Sequence, residues 1–175
     1  MGDLPQLKII IAGAEGAGKS EFIKIICPSC ILNFGEENSK IPMDLGTAEW
    51  GEYTLRVMGI PGKKEFLFMN DVLLNGSSGA IILINVNEPL KIPEAIEFIK
   101  KISEKNIPFI LAINTINKLT RYNSEEIKNQ FNLDLDLIPV STKSNWNIKE
   151  AVDLLIHKIL EFDDAIIYED NIKLD

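Results

Sequence analysis

The sequence is poor in the residue types that most metal and redox sites need. It has one histidine, His157, and two cysteines, Cys27 and Cys30, among 175 residues. The cysteines form a lone C-x-x-C pair, which is compatible with a redox motif or with half of a metal site. A redox pair is expected to open a helix, whereas this pair follows the end of one. We therefore expect two small side chains packed at a helix exit, with an intermolecular metal site or disulfide as the alternative.

Long apolar runs are also missing. The longest uncharged apolar stretch, residues 80–86, is too short to span a bilayer, which takes about 20 residues. The first five residues have neither the basic region nor the long apolar region of a secretory signal, and neither end carries a lipidation motif. From these absences we expect a cytoplasmic protein without a membrane anchor.

Basic residues are the minority charge. The chain has 26 Asp and Glu against 18 Lys and Arg, for a net charge of −8. Residues 161–175 contribute six acids and one lysine to this total. An acidic chain without a basic stripe argues against nucleic acid as a partner. We expect residues 1–162 to form one domain and residues 163–175 to form an acidic C-terminal tail.

One stretch fits a phosphate-binding motif without a mismatch. Residues 13–20 read GAEGAGKS, the pattern G-x-x-x-x-G-K-[ST], and we call them the P-loop. Glycines let such a loop turn its N–H groups toward phosphate oxygens, and the positive end of a following helix adds to the same spot. We expect Lys19 to reach the β- and γ-phosphates and Ser20 to ligate Mg²⁺. A glycine-rich turn without a ligand is the alternative.

The remaining pattern alternates strands with helices. Six stretches have the composition of strands: 8–12, 41–50, 53–58, 80–84, 108–113 and 137–140. A two-residue turn, Gly51 and Glu52, joins the second and third strands into a hairpin. Four stretches are predicted to be helices: 20–26, 93–105, one capped by Asn123 and one capped by Asn147. Residues 66–74 are predicted to be a helix or a helical loop. Residues 28–40 lack periodicity and are expected to be a loop.

These elements predict an α/β fold with a mostly parallel six-stranded sheet, one antiparallel hairpin strand and helices on both faces. Four stretches with chemical potential each follow a strand: 13–20, 59–66, 114–117 and 141–143. Ligands of such sheets bind beyond the carboxyl ends of the strands, so we expect these loops to meet at one site. His157 falls on the solvated side of the last helix, and we expect no catalytic role for it.

The order of these motifs resembles that of the Ras-like small GTPases over about residues 7–162. The chain is most similar to prokaryotic members, including bacterial cell-polarity switches, which often replace the aspartate of D-x-x-G ahead of a Pro-Gly pair. The resemblance implies the three-layer P-loop NTPase fold and binding of GTP or GDP with Mg²⁺. It carries over in full to the nucleotide-binding residues of the P-loop and its helix: Gly13, Glu15, Gly16, Ala17, Gly18, Lys19, Ser20 and Glu21.

The switch motifs carry over only in part. Gly59 stands where the family has the aspartate that holds Mg²⁺ through water, and Gly62 matches the glycine that senses the γ-phosphate. Lys63 stands where most members have the glutamine that orients the attacking water. The metal-binding threonine of the first switch aligns with Ser39 or Lys40, and Ser39 alone offers a hydroxyl. The implied catalytic residues are Lys19, Gly62 and Lys63, and the implied metal ligands are Ser20 and Ser39.

The base-reading motif N-K-x-D is also altered, since it reads Asn114-Thr115-Ile116-Asn117. Asn117 replaces a carboxylate that accepts two hydrogen bonds from guanine, which removes one charge-assisted bond of about 1.5–3 kcal/mol. The last base loop is matched by Ser141, Thr142 and Lys143, whose backbone is expected to reach the purine O6.

Three functional hypotheses follow. The first is a nucleotide-dependent switch with weak or partner-dependent GTP hydrolysis, which docks a regulatory or effector protein at residues 39–50 and 59–74. The second, favoured by Gly59, Lys63 and Asn117, is a degenerate GTPase that acts as a non-catalytic interaction scaffold. The third is a P-loop kinase for a small metabolite. Such kinases need a lid with arginines, and this chain has only Arg56 and Arg121.

Overall fold

A computed structural model describes residues 4–34, 43–62, 69–115, 128–129 and 135–172. Its strands are β1 (Gln6–Ala12), β2 (Ile31–Phe34), β3 (Met43–Trp50), β4 (Tyr53–Gly59), β5 (Gly79–Asn85), β6 (Phe109–Asn114) and β7 (Leu137–Val140). Its longer helices are α1 (Lys19–Ile26), α2 (Asn70–Leu74), α3 (Ile92–Glu104) and α4 (Ile148–Ile172), and a short 3-10 helix covers Pro89–Lys91.

The strands form one sheet in the order β2-β3-β4-β1-β5-β6-β7. Strand β3 is antiparallel to both of its neighbours, and all the other pairs are parallel. The turn between β3 and β4 is the predicted one: Trp50 pairs with Tyr53, and Gly51 has φ +57°. Two-residue hairpin turns favour positive φ because it matches the twist of the strands. The predicted fold class is confirmed.

Strand β2 is the seventh strand and was not predicted. The sequence favours a loop over 28–40, whereas Ile31 pairs with Leu45 and Phe34 pairs with Met43. These four residues have no period of their own. They become a strand because β3 offers an edge to pair with, and strand formation depends more on such partners than on intrinsic preference. Residues 35–40 lie outside the described residues.

Alternation along the central strands divides the core into two layers. Ile9 and Ile11 of β1 belong to the layer under α1 and α4, whereas Ile10 and Ala12 belong to the layer under α2 and α3. Successive side chains of a strand point to opposite faces, so a strand buried on both faces reads as a continuous apolar run. This is why residues 9–12 of β1, 80–84 of β5 and 109–113 of β6 are all apolar, and the carboxyl ends of these strands lie together at one edge of the sheet.

Helix α3 agrees with the sequence prediction. Pro93 lies in its first turn, where its missing N–H costs no hydrogen bond. Ala95, Ile99 and Ile102 are buried on one face. The predicted helix capped by Asn123 lies outside the described residues, apart from a helical backbone at 128–129.

Helix α4 is longer than the predicted domain boundary suggests. Its buried face includes Ile148, Val152, Leu155 and Ile159. The helical backbone then continues past residue 162 to Ile172, since no glycine or proline interrupts the chain there. The acidic segment 163–172 is therefore helical, and its separation from the domain stays a prediction. Among the described residues, no helix combines the length and the apolar character needed to cross a membrane.

His157 and the two cysteines lie where the sequence suggested. His157 is 71% exposed, and its Nε2 lies 3.1 Å from Glu161 Oε1, one turn further along α4. Cys27 and Cys30 are free thiols that follow α1. Both pack against Gly46 of β3, where an added Cβ would lie 2.6 Å from the Cβ of Cys27. Burial, helped by the neighbouring Cys30, raises the pKa of the Cys27 thiol to about 11.

Candidate functional site

The P-loop connects the end of β1 to the start of α1. Gly13, Gly16 and Gly18 have φ values of +141°, +80° and +97°, which residues other than glycine rarely adopt. Gly18 is the N-cap of α1, so the helix begins directly after it at Lys19. The unpaired N–H groups of that first turn and the helix dipole therefore face the loop.

The Lys19 ammonium is fixed above this loop. Its Nζ donates to the carbonyl oxygens of Gly13 at 2.9 Å and Ala14 at 2.8 Å. An ammonium group has three N–H donors, so these two bonds orient the side chain and leave one donor for a ligand. Burial lowers the pKa of Lys19 to about 8, and nearby carboxylates, Asp44 foremost, partly offset that effect. A partly desolvated ammonium interacts more strongly with an anion than one in bulk water.

Ser20 has a partner that the sequence did not reveal. Its hydroxyl donates to Asp44 Oδ2 at 2.6 Å. Asp44 lies on β3, is only 7% exposed, and pairs in register with Gly59 of β4. The sequence contained one usable signal for this arrangement. A two-residue turn at Gly51 and Glu52 fixes the hairpin register and hence places residue 44 opposite residue 59.

The segment after β4 lies against the P-loop. Ile60 donates its N–H to Ile11 O at 2.9 Å, which keeps the chain beside β1. Gly62 then approaches so closely that an added Cβ would lie 2.5 Å from Glu15 N and 2.8 Å from Gly13 O. Only glycine fits this position. Lys63 lies outside the described residues, as do the rest of 63–68 and the first-switch residues Ser39 and Lys40.

Asn114 ties the end of β6 to two loops at once. Its Nδ2 donates to Ala17 O at 2.9 Å and to Thr142 Oγ1 at 3.2 Å, and its Oδ1 accepts from Thr142 N at 3.2 Å. Gly18 allows this approach, since an added Cβ there would lie 2.3 Å from Asn114 Nδ2. Asn117, which the resemblance places in the base-reading motif, lies outside the described residues.

The loop at 141–143 is held by its own short bridge. Ser141 and Trp146 exchange backbone hydrogen bonds of 3.0 and 3.1 Å, and Ser141 is fully buried. Lys143 is exposed. The structure thus brings the P-loop, Gly62, Asn114 and Thr142 together, while the role of each in ligand binding stays a prediction.

A fourth contact to the P-loop was missed in the sequence. Asn85, the last residue of β5, donates from Nδ2 to Gly16 O at 3.3 Å. Lys91 donates from Nζ to Glu15 O at 2.8 Å and pairs with Glu88. The rule that ligands lie beyond strand ends applies to β5 as much as to β1 and β6, so Asn85 could have been found this way.

A cleft of about 300 Å³ lies between the P-loop and the segment after β4. Lys19, Ser20 and Asp44 all line it. A hydroxyl and a carboxylate are oxygen ligands, which Mg²⁺ prefers. No cluster of three or more His, Cys, Asp or Glu side chains occurs in the described ranges. The donor set therefore fits an Mg²⁺ ion that takes its other ligands from phosphates and water, the usual arrangement for this ion.

Comparison with known proteins gives distant relatives. No protein-family model matches the chain. An uncharacterized protein of Methanocaldococcus jannaschii, MJ1339, is 24% identical over 158 residues, which cover 89% of this chain and 96% of that protein. The chloroplastic translation initiation factor IF-2 of Pyropia yezoensis is 30% identical over 108 residues, 54% of this chain but only 13% of that protein.

Two solved structures are similar in fold. The G domain of the T. maritima FeoB iron transporter superimposes with a TM-score of 0.65 at 16% identity, covering 90% of this chain and 99% of that chain. The bacterial selenocysteine-specific elongation factor EF-Sec gives a TM-score of 0.72 at 18% identity, covering 90% of this chain and 29% of that chain. At these identities, the likeness defines the fold and not the activity.

Proposed function

We propose, on the premise that this chain has the G-domain fold of the P-loop GTPases, that it binds GTP and GDP and acts as a nucleotide-dependent switch. The observation that carries the proposal is the position of Lys19. Its two bonds to P-loop carbonyls preorganise an ammonium group at a helix N-terminus whose N–H groups face the same space. A preorganised cation and converging N–H donors favour a di- or triphosphate over a neutral ligand.

Magnesium fits the same place. Ser20 and Asp44 offer oxygen atoms beside Lys19. The nucleotide phosphates and water would supply the other ligands of the ion. Bound there, Mg²⁺ offsets negative charge on the β- and γ-phosphates. The chain's own residues bind and orient the phosphates, and Gly62 brings a backbone N–H of the second switch near the P-loop.

Base selectivity and hydrolysis are proposed to be weak. Both N–H groups of Asn114 already have acceptors within the protein, Ala17 O and Thr142 Oγ1. Asn117 lacks the carboxylate that would select guanine by accepting two hydrogen bonds from it. Lys63 lacks the hydrogen-bond acceptor that would orient the attacking water. A charged lysine can offset transition-state charge but cannot take up a proton. We therefore expect a partner protein, docked at residues 39–50 and 59–74, to complete the catalytic groups.

The test is direct binding. The purified protein is heated and any released nucleotide identified, and fluorescent GDP, ADP and XDP are then titrated with Mg²⁺. Lys19→Ala should abolish binding. Lys24→Ala, an exposed lysine five residues further along α1, is the matched control and should bind as the wild type does. Failure of the wild type to bind any of the three nucleotides would overturn the proposal, and a strong preference for ADP would overturn the guanine assignment.

A non-catalytic scaffold is the second candidate. It is favoured by the loss of the carboxylate at Gly59 together with the substitutions Lys63 and Asn117. The two candidates differ in turnover. Release of phosphate from bound GTP, alone or with an activating partner, supports the switch, whereas binding with no release over hours supports the scaffold.

A further inference from the structure

We propose that Asp44 supplies, from β3, the metal-holding carboxylate that Gly59 of β4 lacks. The inference rests on the proposed function and extends it, since it assigns a Mg²⁺ site residue on an element that the family resemblance does not point to. In the resemblance, the aspartate at the position of Gly59 holds Mg²⁺ through water. Here the carboxylate reaches the same space from the neighbouring strand.

The hairpin register carries the first part of the argument. Asp44 lies directly opposite Gly59 in the antiparallel pair of β3 and β4. Side chains that are directly opposite lie on the same face of the sheet. A carboxylate at either position therefore projects to the same side of the hairpin. Gly59 also pairs with Ile11 of β1, two residues before the P-loop begins, and the hydrogen bond from Ser20 to Asp44 shows that this side of the hairpin contacts the P-loop.

The space around Gly59 carries the second part. A Cβ built on Gly59 would lie 3.2 Å from the Cβ of Asp44 and 3.4 Å from its Oδ2. The Asp44 carboxylate therefore already borders the position that a side chain at 59 would occupy. An aspartate at each position would crowd two like charges together, which is unfavourable. One carboxylate at this place excludes the other.

The partners of Asp44 carry the third part. A buried carboxylate is unfavourable unless hydrogen bonds and positive charge compensate for its lost hydration. Asp44 is 7% exposed, accepts the 2.6 Å hydrogen bond from Ser20, and interacts electrostatically with the Lys19 ammonium. It therefore contacts the very hydroxyl that is predicted to ligate Mg²⁺. A carboxylate so placed can orient that hydroxyl and accept hydrogen bonds from water molecules on the ion.

The decisive experiment measures metal affinity rather than turnover. Binding of Mn²⁺, used in place of Mg²⁺, to the GDP-loaded protein is followed by electron paramagnetic resonance, and release of fluorescent GDP is compared in Mg²⁺ and in EDTA. Asp44→Asn should weaken Mn²⁺ binding about 10–100-fold, the usual effect of losing a group that orients a metal ligand. It should also remove the slowing of GDP release by Mg²⁺. Glu49→Gln, an exposed acid on the same strand, is the control and should change neither.

A swap variant tests the shared position. Asp44→Gly combined with Gly59→Asp moves the carboxylate to β4 and frees the space that Asp44 fills. The closest remaining contact of the new Cβ is Ile23 Cδ1 at 2.9 Å, the end of a flexible side chain that can shift. The swap should recover wild-type Mn²⁺ affinity. It also keeps the inference testable if Asp44→Asn does not fold, which circular dichroism checks for each variant.

The outcomes separate the two proposals. If the wild type binds no nucleotide, both the proposed function and this inference fail. If it binds GDP and Asp44→Asn keeps wild-type Mn²⁺ affinity, the inference alone fails. A folded swap variant that does not regain metal affinity likewise overturns the inference, because a carboxylate at position 59 would then not replace one at position 44. Loss of Mn²⁺ affinity in Asp44→Asn together with its recovery in the swap variant supports the inference.

Discussion

Replacing Asn114 with alanine should destabilise the ligand-free protein, because this side chain joins three segments that are distant in sequence. The change removes four hydrogen bonds. Nδ2 donates to Ala17 O at 2.9 Å and to Thr142 Oγ1 at 3.2 Å, and Oδ1 accepts from Thr142 N at 3.2 Å and from Thr142 Oγ1 at 3.4 Å. At about 0.5–1.5 kcal/mol each, the four total about 2–6 kcal/mol. Asn114 is half-buried, so water replaces part of the loss, and we expect about 1.5–3 kcal/mol.

The assay is urea unfolding without nucleotide, followed by circular dichroism. In a chain of this size, the expected loss corresponds to a melting temperature lower by about 3–12 °C. Thr142→Ala removes only the two bonds of Oγ1 with Asn114, and because Thr142 is also half-buried it should cost about 0.5–2 kcal/mol. Because both variants lose these two bonds, the double variant should cost less than the sum of the two. Ser103→Ala, on an exposed position of α3, is the control and should stay within about 0.5 kcal/mol of the wild type.

Two results would refute this reasoning. One is a loss of less than about 0.5 kcal/mol for Asn114→Ala, the range of ordinary surface substitutions. The other is strict additivity with Thr142→Ala, which would mean that the two side chains do not interact in solution. Either result would also weaken the view that Asn114 connects the P-loop to the 141–143 loop before any ligand binds.

Two further predictions concern crowding and thiol reactivity. Gly18→Ala should destabilise the protein more than Gly51→Ala. Both glycines have positive φ, but a Cβ at position 18 would lie 2.3 Å from Asn114 Nδ2, whereas a Cβ at position 51 would have no neighbour within 4 Å. In urea unfolding, the excess cost should shrink in an Asn114→Ala background, and an unchanged excess would contradict the clash. In native protein treated with iodoacetamide at pH 8, Cys30 should be alkylated first. Cys27 should react only on unfolding, because it is buried and because its pKa of about 11 leaves about one thiol in a thousand as thiolate at pH 8. Equal alkylation rates for Cys27 and Cys30 in the native protein would contradict the burial of Cys27.

Much of the fold was predictable because the signals are local. The P-loop pattern, the buried strands and the two-residue turn each depend on residues within one element or one turn. The same turn also fixes the hairpin register, so the position of Asp44 opposite Gly59 was available from the sequence.

Other features had no such signal. Strand β2 has no periodicity and forms because β3 offers an edge. Helix α4 passes the predicted boundary at residue 162, because an acidic composition does not stop a helix that lacks glycine and proline. Lys91 reaches Glu15 O from 76 residues away, and nothing in its neighbourhood indicates that contact.

The sequence by itself determined that a loop with the G-x-x-x-x-G-K-[ST] pattern follows the first strand and that the sheet is buried on both faces. The tertiary structure alone decided which side chains meet at that loop. Ser20 and Asp44 are 24 residues apart, and Asn114 and Ala17 are 97 apart. Local propensities act over a few residues, whereas these contacts depend on the packing of α1 against the hairpin and on the order of strands in the sheet. A motif can therefore name a candidate site, but only the packing of α1 against the hairpin brings the Asp44 carboxylate to the Ser20 hydroxyl.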